Sequence, residues 1–155
     1  ERIGQCEKHD AGVSFYGVYY GQAALPHAPE RFFYLDNAVI RGLKVYNVET
    51  SSDIPVYDLS AAAGRDPYEM FLGGARSIIT LTNPNAAKER RLIIFRDSFG
   101  SSIAPLLTAG YSEITLVDIR YISPSALGRL IGFTKLDDVL FLYSASVINN
   151  SETIK

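Results

Sequence analysis

The chain has 155 residues, 47% hydrophobic and 21% charged, which is enough apolar chain for a real core and too much for a disordered segment. Its formal net charge is −2, with Lys and Arg scattered, so it lacks the basic patch that nucleic-acid phosphates require. No apolar run approaches the roughly 20 residues of a transmembrane helix, and the single Cys6 excludes an internal disulfide and a cysteine-based zinc cluster.

The chain begins at Glu1 with no basic-plus-apolar leader, the pattern expected of a fragment or processed product. Residues 12–29, "GVSFYGVYYGQAALPHAP", are aromatic but broken by Gly17, Gly21, Pro26 and Pro29, leaving room for one short strand. "RFFYL", "VIRGLKVYNVE" and "IPVYDL" are rich in β-branched and aromatic residues and read as strands, with turn chemistry at Asn37, Ser51, Ser52, Asp53 and Pro55. "DPYEMFLGG", residues 66–74, reads as a short helix capped by Asp66, with Pro67 at its first position. "SIITLT", residues 77–82, reads as a further strand.

The last third is regular. "RLIIF" is a continuous apolar run, the signature of a strand covered on both faces. A helix follows it and stops near Ala109–Gly110. "EITLVDI", a helix over 123–133 with Ser123 as cap and Pro124 next, and "DVLFLYS" complete the series. Strand, helix, strand, helix, strand predicts parallel strands over 92–95, 114–118 and 139–143, joined by right-handed crossovers. Residues 1–147 are expected to form the domain and 148–155 a polar tail.

Functional groups collect at the carboxyl ends of such strands. Here those ends are Arg96-Asp97-Ser98, Asp118-Ile119-Arg120-Tyr121 and Tyr143-Ser144. A serine at a sharp strand-to-helix turn presents its hydroxyl above the sheet, and helix-start N–H groups beside it can stabilise an oxyanion. Pro105 bears on the competing capping role. With Ser102 as N-cap it falls in the first turn, whereas with Ser98 as N-cap it would interrupt the helix. Ser102 is therefore the expected cap, and Ser98 is left free. The stretch is not the G-x-S-x-G elbow, because Arg96 stands at the first glycine's place. No dinucleotide fingerprint, P-loop or metal-ligand spacing is present, so no cofactor and no metal are expected.

"LIIFRDSFGSSIAPLL" followed by "EITLVDIRYI" resembles the DHHW family of exported bacterial proteins, which is similar to the SGNH-hydrolase-like domains of alginate O-acetyltransferases. "SFYGVYYGQAAL" and "DPYEMFLGG" look like further landmarks of it, so the likeness spans most of the chain. The resemblance implies an α/β fold: an SGNH-hydrolase-like three-layer sandwich with a mainly parallel sheet, here an incomplete domain with extra strands in its N-terminal half. It puts Ser98 at the nucleophile position and makes Asp97 the motif's acid, expected to hold the turn. The Asp and His partners of that family lie upstream, in a D-x-H or the Asp-His-His-Trp of the family name. This chain has neither motif and no tryptophan; its only histidines, His9 and His27, have the wrong order and spacing. It therefore reads as the C-terminal portion of an exported, envelope-associated protein, inactive alone because the base is missing. An envelope glycan or an acyl donor is the implied partner.

Other residues carry weaker signals. Arg120 could bind an anionic or sugar substrate, or pair with Asp97 or Asp118. Tyr121 could stack on a sugar or pack on the next helix. Tyr16, Tyr19 and Tyr20 could form a sugar platform or simply pack. Two functions follow: an O-acetyl transferase or esterase that uses Ser98, or a non-catalytic envelope or carbohydrate- or protein-binding domain of the same fold.

Overall fold

The computed structural model describes residues 6–17, 20, 26–150 and 152. Tyr19 of the expected tyrosine platform, Gly21, and most of the 148–155 tail beyond Asn150 lie outside them.

Two sheets are present among the described residues. A hairpin pairs β1 (Glu7–Phe15) with β2 (Glu30–Asp36) in antiparallel fashion. The main sheet has six strands: β3 (Lys44–Asn47), β4 (Ser52–Ile54), β5 (Ile78–Thr82), β6 (Arg91–Arg96), β7 (Glu113–Val117) and β8 (Asp138–Leu142). Their spatial order is β4-β3-β5-β7-β6-β8. β6 pairs in parallel with β7 on one side and β8 on the other. The pairings β3–β4, β3–β5 and β5–β7 are antiparallel. The fold is α/β with a mixed sheet, and its parallel part is the C-terminal three strands.

Side-chain alternation makes this a three-layer structure. Leu92 and Ile94 of β6, Ile114 and Leu116 of β7, and Ile79 and Leu81 of β5 share one core, closed by Ala104 and Leu107 of helix α2 (Gly100–Leu107). Ile93 and Phe95, Val117 and Ile78 point the other way, onto Leu127 and Ile131 at helix α3 (Pro124–Leu130). The two crossovers therefore cover opposite faces, and the chain reverses direction across the sheet between β6 and β7. A third cluster of Met70, Phe71 and Ala62, with Phe32, Tyr34, Tyr57 and Tyr68 packed on it, joins the hairpin to the main body.

Several expectations are corrected. "VIRGLKVYNVE" is not one strand. Asn37 accepts from the Ile40 N–H at 2.9 Å and starts a single helical turn, α1 (Ala38–Arg41), which Gly42 ends before β3. "IPVYDL" leaves the sheet after Ile54 and keeps only an isolated bridge from Tyr57 to Phe71. The Asp66 cap is present, but it opens a 3₁₀ turn over Pro67–Met70. A last short helix, α4 (Ala145–Asn149), runs two residues past Val147.

Ser102 does not cap α2. The helix begins at Gly100 and carries Pro105 inside it. Tertiary contacts outweigh the proline's cost here. Gly100 lies against Arg96, and a Cβ there would stand 2.7 Å from the Arg96 Cβ and 3.0 Å from its Cγ. We expect Gly100→Ala to cost about 1–3 kcal/mol by overpacking. Gly128→Ala, in α3 with nothing within 4 Å of the new methyl, should stabilise by about 0.4–1 kcal/mol through chain entropy. Urea denaturation midpoints of the two variants and the parent check both signs.

Candidate active site

The carboxyl ends of β6, β7 and β8 converge on one edge of the sheet, and opposite-face crossovers leave a crevice there between β6 and β7. Immediately after β6, Asp97 is buried and organises the turn. Its Oδ1 accepts from the Phe99 N–H at 3.1 Å and its Oδ2 from the Ser144 N–H at 2.7 Å. Its own N–H donates to the Leu142 carbonyl at 3.4 Å. One carboxylate thus closes the serine turn and ties it to the end of β8.

The amides that follow are also taken. Gly100 N–H donates to the Asp97 carbonyl and Ser101 N–H to the Ser98 carbonyl, each at 3.1 Å. The helix-start donors expected to serve an oxyanion are thus occupied. Ser98 differs: it is partly exposed, and neither its hydroxyl nor its own N–H has a hydrogen-bond partner among the described residues.

Behind this turn lies a buried charge cluster. Arg96, the last residue of β6, has no solvent exposure, and neither has Asp118, which follows β7. Nη1 of Arg96 stands 3.9 Å from Oδ2 of Asp118. The guanidinium donates to the Asp97 carbonyl at 3.3 Å and to the Arg76 carbonyl at 3.4 Å, while its Nε has no partner. Burial lowers the Arg96 pKa and the Asp118 carboxylate opposes that shift. Asp118 in turn takes Nε and Nη2 of Arg120 at 2.9 and 2.6 Å, and the Arg120 N–H at 3.1 Å. This fork-to-fork pairing raises the Arg120 pKa. Arg120 is thus held as Asp118's partner, and the ring of exposed Tyr121 lies 5.4 Å from its guanidinium carbon.

Two tyrosines complete the surroundings. The Tyr143 hydroxyl is buried without a partner, and desolvation followed by the charges of Asp118 and Asp97 raises its pKa, so it stays a neutral phenol. Tyr68 reaches from the aromatic cluster to bond the Phe99 carbonyl at 3.1 Å and the Ser102 hydroxyl at 2.8 Å. That bond explains what Ser102 does in place of capping.

The structure therefore brings Asp97, Ser98, Arg120 and Tyr121 to the same sheet edge. Arg96 and Tyr68 are the supporting residues that sequence reasoning did not single out. A charged residue ending an apolar run was the visible signal for Arg96; Tyr68 gave none. Neither histidine bonds Ser98. His9 stacks on Tyr34 at 5.3 Å in the hairpin, and His27 meets Tyr20 edge-on at 5.7 Å. Among the described residues no His, Cys, Asp and Glu group could hold a metal ion, and no helix is long and apolar enough to cross a membrane.

Asp118→Asn should cost about 3 kcal/mol or more, because it removes the nearest carboxylate from buried Arg96. Arg120→Gln should cost less, since Arg96 still faces Asp118 and water reaches Arg120. Chemical denaturation of both variants checks the order.

No family model and no curated protein matches the chain. Solved structures do. Bacillus cereus PatB1 with a sulfonyl adduct matches with a TM-score of 0.69 at 20% identity, over 96% of this chain and 50% of that one. A DHHW family protein from Eubacterium siraeum DSM 15702 matches with a TM-score of 0.69 at 22% identity, over 99% of this chain and 53% of that one. A second PatB1 structure gives 0.67 at 19% identity, over 96% and 52%. The chain spans about half the length of the structures it matches, and it shares its fold with PatB1 and the DHHW protein.

Proposed function

We propose that this chain is the serine-bearing part of an SGNH-like acyl transferase or esterase, with Ser98 as nucleophile and the Asp and His supplied by a segment preceding Glu1. The observation that carries the reading is the state of Ser98. The Asp97 carboxylate and the Phe99, Gly100 and Ser101 N–H groups of its turn are committed to hydrogen bonds, while its own hydroxyl and N–H have no partner among the described residues. A hydroxyl free to be deprotonated and a donor free to meet the developing oxyanion are the two things acyl transfer asks of this position. PatB1, of the same fold, carries a sulfonyl adduct, and sulfonyl electrophiles react with activated hydroxyls.

The chemistry follows from that arrangement. A base within roughly 2.6–3.2 Å takes the Ser98 proton as Oγ attacks the ester carbonyl. The carbonyl oxygen gains negative charge beside the Ser98 N–H. Collapse expels the alcohol, protonated by the conjugate acid of the base, and the acyl group passes to water or to a sugar hydroxyl. Asp97 is not that base, since both its oxygens hold the turn. O-acetyl groups of an envelope glycan are the proposed substrate and the cell envelope the proposed location, in keeping with the resemblance to exported DHHW proteins.

A second reading is a non-catalytic glycan- or protein-binding domain. It is favoured by the exposed Tyr16 and Tyr20, whose rings lie 4.7 Å apart, and by exposed Tyr121.

The 155-residue chain should hydrolyse a small acetyl ester negligibly. The polypeptide extended through its preceding segment should be active, and Ser98→Ala should abolish the gain. Ester hydrolysis by all three at equal concentration checks this. Ser98-dependent activity in the short chain refutes the missing base, and an inert extended protein favours the binding reading.

A further inference from the structure

The two edges of the main sheet differ. β4, at one edge, has only three residues, and Ser52 and Asp53 make it a poor template for further pairing. β8, at the other, is "DVLFL", an apolar run of the kind that fills the middle of a parallel sheet. In register it matches β6 residue for residue: Val139 beside Ile93, Leu140 beside Ile94, Phe141 beside Phe95. Ile93 and Ile94 are 2% and 0% exposed, whereas Val139, Leu140 and Phe141 are 49%, 37% and 68% exposed. The middle of β8 is thus exposed on both faces, Val139 and Phe141 on the α3 face and Leu140 on the other, while Leu142 at its end packs on the first core. Phe141 stacks on Phe95, with ring centroids 5.0 Å apart. Leu130 and Phe133, on the crossover leading into β8, are exposed as well.

The backbone is open too. The Leu142 carbonyl faces β6, because it accepts from Asp97 N–H. Alternation along the strand then turns the peptide groups of Val139 and Phe141 outward, where no strand among the described residues pairs with them. A strand with an apolar sequence, apolar side chains exposed on both faces and a bare edge is built to lie inside a sheet. Each matched structure has about as much chain again beyond the part that this chain covers.

We propose that the main sheet continues past β8, and that the next strand comes from the segment of the same polypeptide preceding Glu1. This rests on the reading that the missing catalytic partners lie in that segment, and it adds where they enter. A strand added to β8 lies one strand away from Ser98 in β6's turn. Its residues at that edge flank Tyr143 and Ser144, and Ser144 is already hydrogen-bonded to Asp97.

Residue-resolved hydrogen exchange tests this on the 155-residue chain and on the polypeptide extended through the residues encoded ahead of Glu1. The Val139 and Phe141 amides should exchange about a hundredfold or more slowly in the extended protein, while the Leu92–Phe95 amides barely change. Phe141→Lys, or Val139→Lys should the first fail to fold, should abolish that protection in the extended protein. Equal exchange in the two lengths overturns the proposal. So does protection in the short chain that rises with its concentration, which would make a second copy the occupant, and so does an encoded upstream segment with no apolar strand. The acyl chemistry is read separately through Ser98→Ala. Protected amides without Ser98-dependent activity retire the enzyme reading and keep the added strand, and activity without protection does the reverse.

Discussion

The serine edge of this molecule depends on the burial of Arg96. A guanidinium with no access to water is tolerable only if its charge is answered and its donors are used. Asp118 answers the charge across 3.9 Å, and the carbonyls of Asp97 and Arg76 take two donors. These partners belong to different segments: the turn after β6, the end of β7 and the approach to β5. Pairing the two Nη groups of this one side chain therefore ties three loops to one another. Gly100 is part of the same constraint, because only a residue without a side chain lets helix α2 start against the Arg96 stem.

That constraint explains how a serine can be held in place while its own polar groups stay unused. Asp97 spends both carboxylate oxygens on backbone N–H groups. Tyr68 then clamps Phe99 and Ser102 from the aromatic cluster. The rigidity comes from beneath and beside Ser98, so none of it consumes the Ser98 hydroxyl. Positioning a reacting group through its supports is what keeps its geometry without sacrificing its reactivity.

Much of the fold was legible where physical signals are local. The apolar runs of β6, β7 and β8 and the proline at 124 announced the parallel part of the sheet and its second crossover, and Asp66 announced its own cap. The errors arose where a cap was missed or where a distant contact outweighed a local preference. "VIRGLKV" has strand composition, but Asn37 and Gly42 cap a helical turn inside it. Ser102 has the right spacing from Pro105 to be a cap, but Tyr68, far away in sequence, takes its hydroxyl and Arg96 draws the helix start back to Gly100. At the site, the residues at the carboxyl edge could be named from the strand ends. The pairing of Arg120 with Asp118 is local, two residues apart, and was one of the two partners the sequence offered; that Arg96 lies buried behind both depends on the side-by-side placement of β6 and β7. One sequence does not state that placement.

The charge balance of this edge bears on what it could accept. Arg96 and Arg120 bring two positive charges, and Asp97 and Asp118 two negative ones, so the cluster behind Ser98 is neutral as a whole. Of these four side chains Arg120 is the one that reaches solvent, and its Nε and Nη2 are already matched to the two oxygens of Asp118. An anionic ligand that takes this fork has to compete with a fully buried carboxylate, and displacing Arg120 would leave Asp118 with Arg96 alone at 3.9 Å; Nη1 of Arg120 lies outside the pairing. A neutral ester faces no such competition. In the proposed reaction it needs a base, a nucleophile and a donor for the charge that develops during attack, and the hydroxyl and N–H of Ser98 are left unbonded for the last two. On the proposed reading this suits an uncharged acyl group, which needs no unpaired cation at this edge. Whatever else it meets, Arg120 has a structural part, because its fork holds Asp118 in line with the arginine beneath the serine turn.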